Sequence, residues 1–142
     1  MKITQEILDE CTCNKVRTAA RAVTRIYDDA LRPVGLRATQ LSLLVAVETI
    51  EALSITSLAT VLGMDRSTLT RNLRPLENEG LIVVGNEGWR RSRTLEITKK
   101  GQLRLREAVP LWEKAQKNLS ARLGDQKLRA VRDGLNNLIK AA

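Results

Sequence analysis

The pattern of apolar and polar positions predicts six helices, because apolar residues recur at helical spacing along most of the chain. The predicted helices cover residues 5–32, 39–51, 57–62, 66–79, 99–123 and 126–140. The second helix is apolar nearly all round, which is typical of a buried helix. The first helix would span about 42 Å, more than one small domain covers. We therefore expect the first and last helices to pack against a second copy of the chain.

Residues 57–73 have the spacing of a helix-turn-helix. The small Ala59 allows the second helix to pass close to the first. Gly63 stands where the end of a helix often needs a positive φ. Asp65 is a good N-cap for a second helix that begins at Arg66, and Thr56 is the expected N-cap of the first helix.

The second helix of this unit has an apolar face and a polar face. Leu69, Leu73 and Leu76 share the apolar face. The opposite face offers hydroxyl, guanidinium and amide groups, which read base edges in the major groove of DNA or contact its phosphates. An ordinary amphipathic helix with a solvated polar face is the alternative. The opposite face comprises Ser67, Arg71, Arg74 and Asn78, and the DNA-binding candidates in the helix are Arg66, Ser67, Thr68, Thr70, Arg71 and Arg74.

Two local features oppose the helical pattern. Pro75 removes the hydrogen bond to the carbonyl of Arg71. It is either a tolerated kink on the solvent side or a bend that steers the helix out of the groove. Thr98 is the expected N-cap of the fifth helix, yet Lys99 and Lys100 then stand in its first turn, where cations oppose the helix dipole. A nearby phosphate would make these lysines favourable.

A β-hairpin is predicted directly after this helix, and the two together make a winged helix. Residues 81–84 are β-prone, residues 85–88 are typical of a turn, and residues 93–98 alternate with Leu95 and Ile97 pointing inward. Basic side chains on a hairpin tip suit the negative potential of a minor groove. A charged but merely solvated turn is the alternative. The candidate residues of the wing are Arg90, Arg91 and Arg93.

Composition and charge favour a polyanionic partner. The 142 residues carry a formal net charge of +8, with an isoelectric point near 10.1, so nucleic acid is the first expectation and an anionic membrane the second. The chain has no histidine and no glycine-rich phosphate loop, and we predict no enzymatic activity, metal site or cofactor. No apolar run of membrane-spanning length and no secretion signal is visible, so a cytoplasmic location is expected.

The order of these parts resembles the MarR family, the multiple antibiotic resistance regulators. The matching segments are GLRATQLSLL, ITSLATVLGMDRSTLTRNLRPLENEGLI and RRSRTLEITKKG. The resemblance implies a homodimer and a small effector, often an anionic aromatic, bound between the dimerisation and DNA-binding parts. Two positions depart from the family pattern. Trp89 replaces the Asp that usually pairs with the wing arginine, here Arg91, and Arg37 replaces a Thr, so the second helix is expected to be capped elsewhere, at Thr39.

Cys11 and Cys13 allow more than one interpretation. The simplest is a buried small residue at Cys11 and a half-exposed Cys13. Some MarR-type peroxide sensors place a reactive cysteine near the start of the first helix, so both are candidate redox residues. Those sensors surround the thiol with tyrosines, whereas this chain has only Tyr27. A zinc site would need cysteines from two subunits, and Cys-x-Cys is weak support for one.

The sequence thus predicts a mainly α fold with a small β-hairpin wing, in which the N- and C-terminal helices form a dimer. We expect a single domain over residues 1–142, with dimerisation helices at 1–36 and 99–142 and a winged-helix part at 37–98. The predicted function is sequence-specific binding of a pseudo-palindromic operator in double-stranded DNA, as a repressor released by a small effector. The alternatives are a redox-sensing regulator switched through Cys11 and Cys13, and a nonspecific basic chromosomal protein.

Overall fold

The computed structural model describes residues 2–51, 54–87 and 93–142. Helices account for most of them, and a two-stranded antiparallel hairpin accounts for the rest of the regular structure. A 3-10 turn at Arg32–Val34 separates α2 from α3. The elements are α1 Lys2–Glu10, α2 Thr12–Leu31, α3 Ala38–Thr49, α4 Ile55–Leu62, α5 Arg66–Asn78, β1 Ile82–Glu87, β2 Arg93–Ile97, α6 Lys99–Leu123 and α7 Asp125–Ala141.

The first predicted helix is two helices, because the chain leaves the helical conformation at Cys11. This residue has φ −65° and ψ 112°, an extended conformation, and it is the N-cap residue of α2. Apolar spacing continues across the break, so periodicity alone predicts one helix. The break lies in a Cys-Thr-Cys segment, and both residue types rank low in helix propensity.

A carboxylate from α2 caps α3. The backbone N–H of Ala38 donates to Oδ1 of Asp28 over 2.7 Å, and the N–H of Arg37 donates to Oε1 of Gln40 over 2.9 Å. The expected cap at Thr39 was therefore wrong. Asp28 fills the place that the family's Thr would take, and it reaches α3 only because the 3-10 turn folds α2 back beside it.

One aliphatic core joins the helix-turn-helix, the hairpin and the inner face of α6. The side chains of Leu44, Leu58, Leu69 and Leu76 are fully buried. A fully buried leucine contributes about 1.5–3 kcal/mol relative to an exposed one, so these contacts hold α3, α4 and α5 as one unit.

The helix-turn-helix of α4 and α5 follows the sequence prediction, except for the N-cap of α4. Ser54, not Thr56, is the N-cap of α4: its Oγ accepts from the N–H of Ser57, and Oγ of Ser57 accepts from the N–H of Ser54, each over 3.0 Å. This reciprocal pair starts the helix at Ile55. Gly63 has φ +62°, as predicted for the residue that ends α4.

The C-terminal end of α5 is a Schellman motif. Gly80 has φ +71°, its N–H donates to the carbonyl of Glu77, and the N–H of Leu81 donates to the carbonyl of Leu76, both over 2.9 Å. Leu76 and Leu81 are fully buried. The end of the helix is therefore fixed both by backbone hydrogen bonds and by an apolar contact.

The hairpin is longer than the sequence predicted. Residues 85–87 belong to β1 and not to a turn, and the pairing shifts register between Val84 and Glu87. The predicted alternation in β2 is confirmed at Leu95, which is buried, and at Thr94 and Glu96, which are exposed. An isolated bridge pairs Thr94 with Ser54, so the hairpin lies against the start of α4. Residues 88–92 lie outside the described part of the chain.

The terminal helices keep most of their apolar side chains in solvent. α1 has no buried residue, and α7 buries only Leu128. Across the described residues, no helix combines the length and apolar character that crossing a membrane requires. The exposed apolar side chains of these two helices are Ile3, Ile7 and Leu8 in α1 and Val131, Leu135, Leu138 and Ile139 in α7.

Candidate nucleic-acid interface

Helix α5 presents one face to the core and the other to solvent. The leucine face is buried as predicted: Leu69 and Leu76 are 0% exposed and Leu73 is 2% exposed. On the opposite face Arg71 and Arg74 are exposed, and Arg66 in the first turn of the helix is exposed as well. The core therefore fixes the rotation of α5 about its axis, and this rotation determines which side chains a DNA groove would meet.

Asp65 organises the start of α5. Its Oδ1 accepts from the N–H of Thr68 over 2.7 Å and from Oγ of Ser67 over 2.8 Å, and its Oδ2 accepts from Oγ1 of Thr68 over 3.0 Å. The backbone hydrogen bond is the largest cause that lowers the pKa of the Asp65 carboxyl, followed by the two hydroxyls, with a smaller contribution from the charge of Arg71. The predicted N-cap is thus confirmed, and it holds two candidate DNA-binding hydroxyls in place.

The hydroxyl of Thr70 is also engaged within the helix, since it donates to the carbonyl of Arg66 over 2.8 Å. In the free protein all three candidate hydroxyls of α5 therefore donate to acceptors at its own N-terminal end. Arg66, Arg71 and Arg74, in contrast, form no ion pair or hydrogen bond through their side chains with any described residue. The unpaired guanidinium groups are the polar groups of this face that a polyanion would meet first.

The structure describes only part of the predicted wing. Arg93 is exposed at the start of β2, where its backbone pairs with Glu87. Arg90, Arg91 and Trp89 lie outside the described residues. The wing is anchored at its base by the buried Ile82 and Leu95, so its described part projects from the same core as α5.

Two basic residues of α6 have a role that sequence reasoning missed. The Nζ of Lys100 donates to the carbonyl of Glu79 over 2.7 Å. This lysine therefore stabilises the C-terminal end of α5, and a bound phosphate is not needed to make its position favourable. The Nη1 of Arg104 lies 3.2 Å from Oε2 of Glu79 and 3.1 Å from the carbonyl of Val34. These acceptors are 21 to 70 residues away in sequence, and no local pattern signals such contacts.

The arrangement suits binding to a polyanion. Within the described ranges, no group of three or more potential ligands is placed to hold a metal ion. An exposed row of guanidinium groups on a rigid helix has the geometry for contacts with base edges and phosphates.

Comparison with known proteins decides the family. The sequence profile of the MarR family matches residues 36–84. The M. tuberculosis transcriptional regulator MosR is 38% identical to this chain. The alignment with its crystal structure covers 95% of this chain and 99% of the MosR chain, with a TM-score of 0.78. This chain belongs to the MarR family.

Other solved structures of similar proteins include complexes. MosR in complex with DNA has a TM-score of 0.80 and 38% identity, covering 93% of this chain and 98% of MosR. The transcriptional repressor CouR bound to p-coumaroyl-CoA has a TM-score of 0.83 and 27% identity, covering 94% of each chain. No significantly similar sequence is found among curated proteins.

Membership of the MarR family confirms the resemblance and the winged-helix fold predicted from the sequence. Members of this family are transcription regulators and not enzymes. The chain is a DNA-binding transcriptional regulator, and the polar face of α5 together with the wing is its candidate nucleic-acid interface.

Proposed function

We propose that the protein is a homodimeric repressor that binds a pseudo-palindromic operator in duplex DNA and is released by a small effector. The observation that carries the proposal is the set of three exposed, unpaired guanidinium groups on α5. Arg71 and Arg74 lie opposite leucines that are fully or almost fully buried, and Arg66 lies in the first turn. A similar regulator, MosR, has been crystallised in complex with DNA. The positions given to α5 and the wing below follow from this proposal.

Within this interface, Arg71 is the proposed reader of a base. It lies in the middle of α5 on the solvent face, and the N-terminal part of a recognition helix enters the major groove. Arg66 and Arg74 flank it and contact phosphates. Ser67, Thr68 and Thr70 supply hydroxyls near the helix N-terminus, and Arg90, Arg91 and Arg93 contact the adjacent minor groove.

The homodimer is supported by the apolar faces of the terminal helices. Leu135 is 42% exposed and Ile139 is 73% exposed, on the same side of α7 as Val131 and Leu138. A continuous exposed apolar face of this kind marks an interaction surface. A two-fold axis through these helices would present two copies of α5 to successive major grooves, about 34 Å apart.

Selection of bound duplexes from a random library tests the DNA-binding proposal. We expect a site with two inverted half-sites. On that site Arg71→Ala should cost about 1–3 kcal/mol of binding free energy and relax selection at one base pair. Arg17→Ala, which removes the same charge from an exposed position on α2, is the matched control and should leave selection unchanged.

The outcomes separate the alternatives. An equal loss on all sequences would make Arg71 a phosphate contact. A ratio of specific to random-DNA affinity near one in the unaltered protein would contradict the proposal and favour the nonspecific chromosomal protein.

A groove between α3 and α6 is the proposed effector site. It has a volume of about 600 Å³, and its polar side chains, Ser42 and Thr49, both donate to carbonyls of α3 itself. Such a lining accepts an aromatic or acyl group and leaves any charged group at the mouth. The groove lies between α3 of the DNA-binding core and α6 of the proposed dimerisation part, so a ligand bound there changes the packing of these two helices. Its lining residues are Leu41, Ser42, Val45, Ala46, Thr49, Ile50, Leu105, Val109 and Trp112.

Fluorescence of Trp112 tests this site, with p-coumarate and p-coumaroyl-CoA as first probes because CouR binds the latter. In a Trp89→Phe background, Trp112 is the remaining tryptophan, and a bound probe should quench it and lower DNA affinity. Val109→Phe, which narrows the groove without adding a tryptophan, should retain DNA binding and lose the response. If both variants bind DNA with the same response to the probe, the effector site lies elsewhere.

Redox control through Cys11 and Cys13 is a second candidate for the switch. In an uninterrupted helix, residues i and i+2 do not face each other, but Cys11 lies outside the helical conformation and Cys13 is exposed. Two thiols and one hydrogen peroxide would give a disulfide and two molecules of water. Peroxide should then abolish operator binding, a thiol should restore it, and Cys13→Ser should prevent the loss. Unchanged binding after peroxide treatment would eliminate this switch.

A further inference from the structure

The residues that follow α5 are bound by the start of α6. Thr98 donates from its Oγ1 to the carbonyl of Gly80 over 2.6 Å and from its N–H to the carbonyl of Leu81 over 3.1 Å. Lys100 donates to the carbonyl of Glu79 over 2.7 Å. The carbonyls of three successive residues after α5 therefore accept hydrogen bonds from the start of α6. These contacts join residues that are 17 to 21 positions apart in the sequence.

Arg104, one turn further along α6, joins three parts of the protein. Its Nη1 donates to the carbonyl of Val34, in the turn after α2, and to Oε2 of Glu79, at the end of α5. The Arg104 side chain is only 21% exposed, compared with 78% for Arg32 in the surface pair with Asp29. A half-buried, charge-assisted contact is stronger and less screened than a surface ion pair.

These contacts hold the C-terminal end of α5 against α6. The leucines of α5 fix its rotation and depth, but a helix packed on one face still pivots unless an end is held. α5 is about 20 Å long, so a tilt of about 10° moves the opposite end by about 3 Å. That displacement is comparable to the rise of one base pair of DNA, about 3.4 Å.

We propose that Arg104 is a positioning residue for DNA recognition, which fixes the angle between α5 and α6 and thereby selects the spacing between the two half-sites. This inference rests on the dimeric operator binding proposed above. α6 belongs to the proposed dimerisation part, so the angle that α5 makes with it determines the distance between the two copies of α5. Arg104 itself does not touch DNA in this arrangement.

The experiment measures affinity for duplexes in which the spacer between the selected half-sites is shortened or lengthened by one or two base pairs. Arg104→Met removes the guanidinium and keeps the length of the side chain. Arg106→Met is the matched control, because Arg106 is an exposed residue of the same helix with no side-chain bond to any described residue. Arg104→Lys retains the charge and one donor group.

We expect Arg106→Met to lower affinity equally at every spacer length. Arg104→Met should lower affinity for the best spacer by about tenfold more than the control and should reduce its preference over neighbouring spacers. Arg104→Lys should retain part of the preference. Thermal unfolding and sedimentation of each variant verify that the comparison is made between folded proteins of equal oligomeric state.

Glu79→Gln provides a second measurement that keeps the bond from Arg104 to Val34. It should weaken the spacer preference less than Arg104→Met does. The double variant should have the same spacer preference as Arg104→Met alone, because both changes remove the same contact between Arg104 and Glu79. Additive losses, or an equal loss at all spacers for Arg104→Met, would overturn the inference. If the unaltered protein prefers no spacer, the proposed operator binding itself fails.

Discussion

At the residue scale, the beginning of α5 depends on one carboxylate. Asp65 accepts three hydrogen bonds, and these lower its pKa. A carboxyl whose pKa is lower in the folded state stabilises that state at pH values above the unfolded pKa, about 3.9. The stabilisation is then lost as pH falls through the folded value. The same carboxylate orients Ser67 and Thr68, so it links stability to the shape of the DNA-binding face.

Asp65→Asn should therefore make the protein less stable at pH 6, with a difference from the unaltered protein that shrinks below about pH 4. The amide still accepts the N–H of Thr68 but carries no charge to titrate. Urea unfolding of both proteins at pH 6 and at pH 3 measures the two differences. Glu96→Gln, at an exposed position of β2, is the control. A difference that is the same at both pH values would show that the Asp65 charge does not contribute.

Gly101 is required by a close approach between elements. A Cβ added there would lie 2.7 Å from Cγ1 of Ile97 and would collide with the carbonyl oxygen of Leu81. Gly101→Ala should destabilise the fold by about 1–3 kcal/mol, because overpacking displaces the start of α6. Chemical denaturation measures this free energy. Lys99→Ala, an exposed change in the same turn, should stay within about 0.5 kcal/mol, and an equal effect of both changes would contradict the packing argument.

At the element scale, α5 is a complete helix in spite of Pro75. The helix runs to Asn78, and Pro75 is exposed within it. Its missing N–H leaves the carbonyl of Arg71 without the usual partner. The buried leucines on either side, Leu73 and Leu76, hold the helix together across this point. The two interpretations of Pro75, a tolerated kink or a bend that guides the helix out of the groove, still differ in what they predict for DNA binding.

Pro75→Ala should raise the free energy of unfolding by about 2 kcal/mol, since the helical hydrogen bond returns while the unfolded chain gains some entropy. Affinity for the selected operator distinguishes the interpretations. Unchanged affinity would show a tolerated kink, and a loss without a loss of stability would show that the bend guides the helix. Glu77→Ala, exposed two residues away, is the control. A fall in stability on replacing Pro75 would contradict the expected cost of the proline.

At the scale of the whole molecule, the core and the apolar surface lie in different regions. The buried cluster is concentrated in residues 31–95, with Ala108 from α6, whereas α1 and α7 expose rows of aliphatic side chains. Burial of these exposed apolar side chains in an interface would be favourable, so they favour association of this chain with a partner. The division into dimerisation segments at 1–36 and 99–142 and a winged-helix part at 37–98 stays a prediction that this distribution supports.

Leu135→Glu should convert a dimer into a monomer at micromolar concentration, because the dimer would bury an unpaired carboxylate. Asn137→Glu adds the same charge to an exposed position of α7 away from the apolar row and should leave the dimer intact. Sedimentation equilibrium measures both. A stable monomer of the unaltered protein that still binds its operator would contradict the dimeric arrangement.

The sequence by itself determined the parts whose causes are local. The N-cap at Asp65, the positive φ at Gly63 and the burial of Leu69, Leu73 and Leu76 follow from residues within a few positions of each other. The same local signals predicted the candidate DNA-binding face of α5, and they produced the resemblance to the MarR family. The assignment of individual side chains to DNA stays a prediction.

Only the tertiary structure decided the features that join distant residues. Asp28 caps α3 in place of the expected Thr39, and Arg104 reaches both Val34 and Glu79. The apolar spacing also did not predict the break at Cys11, because it continues across that residue. The spacing of hydrophobic residues indicates which face of a segment is buried, but a polar contact between two segments depends on where they lie relative to each other in space. That placement is set by packing of the whole core.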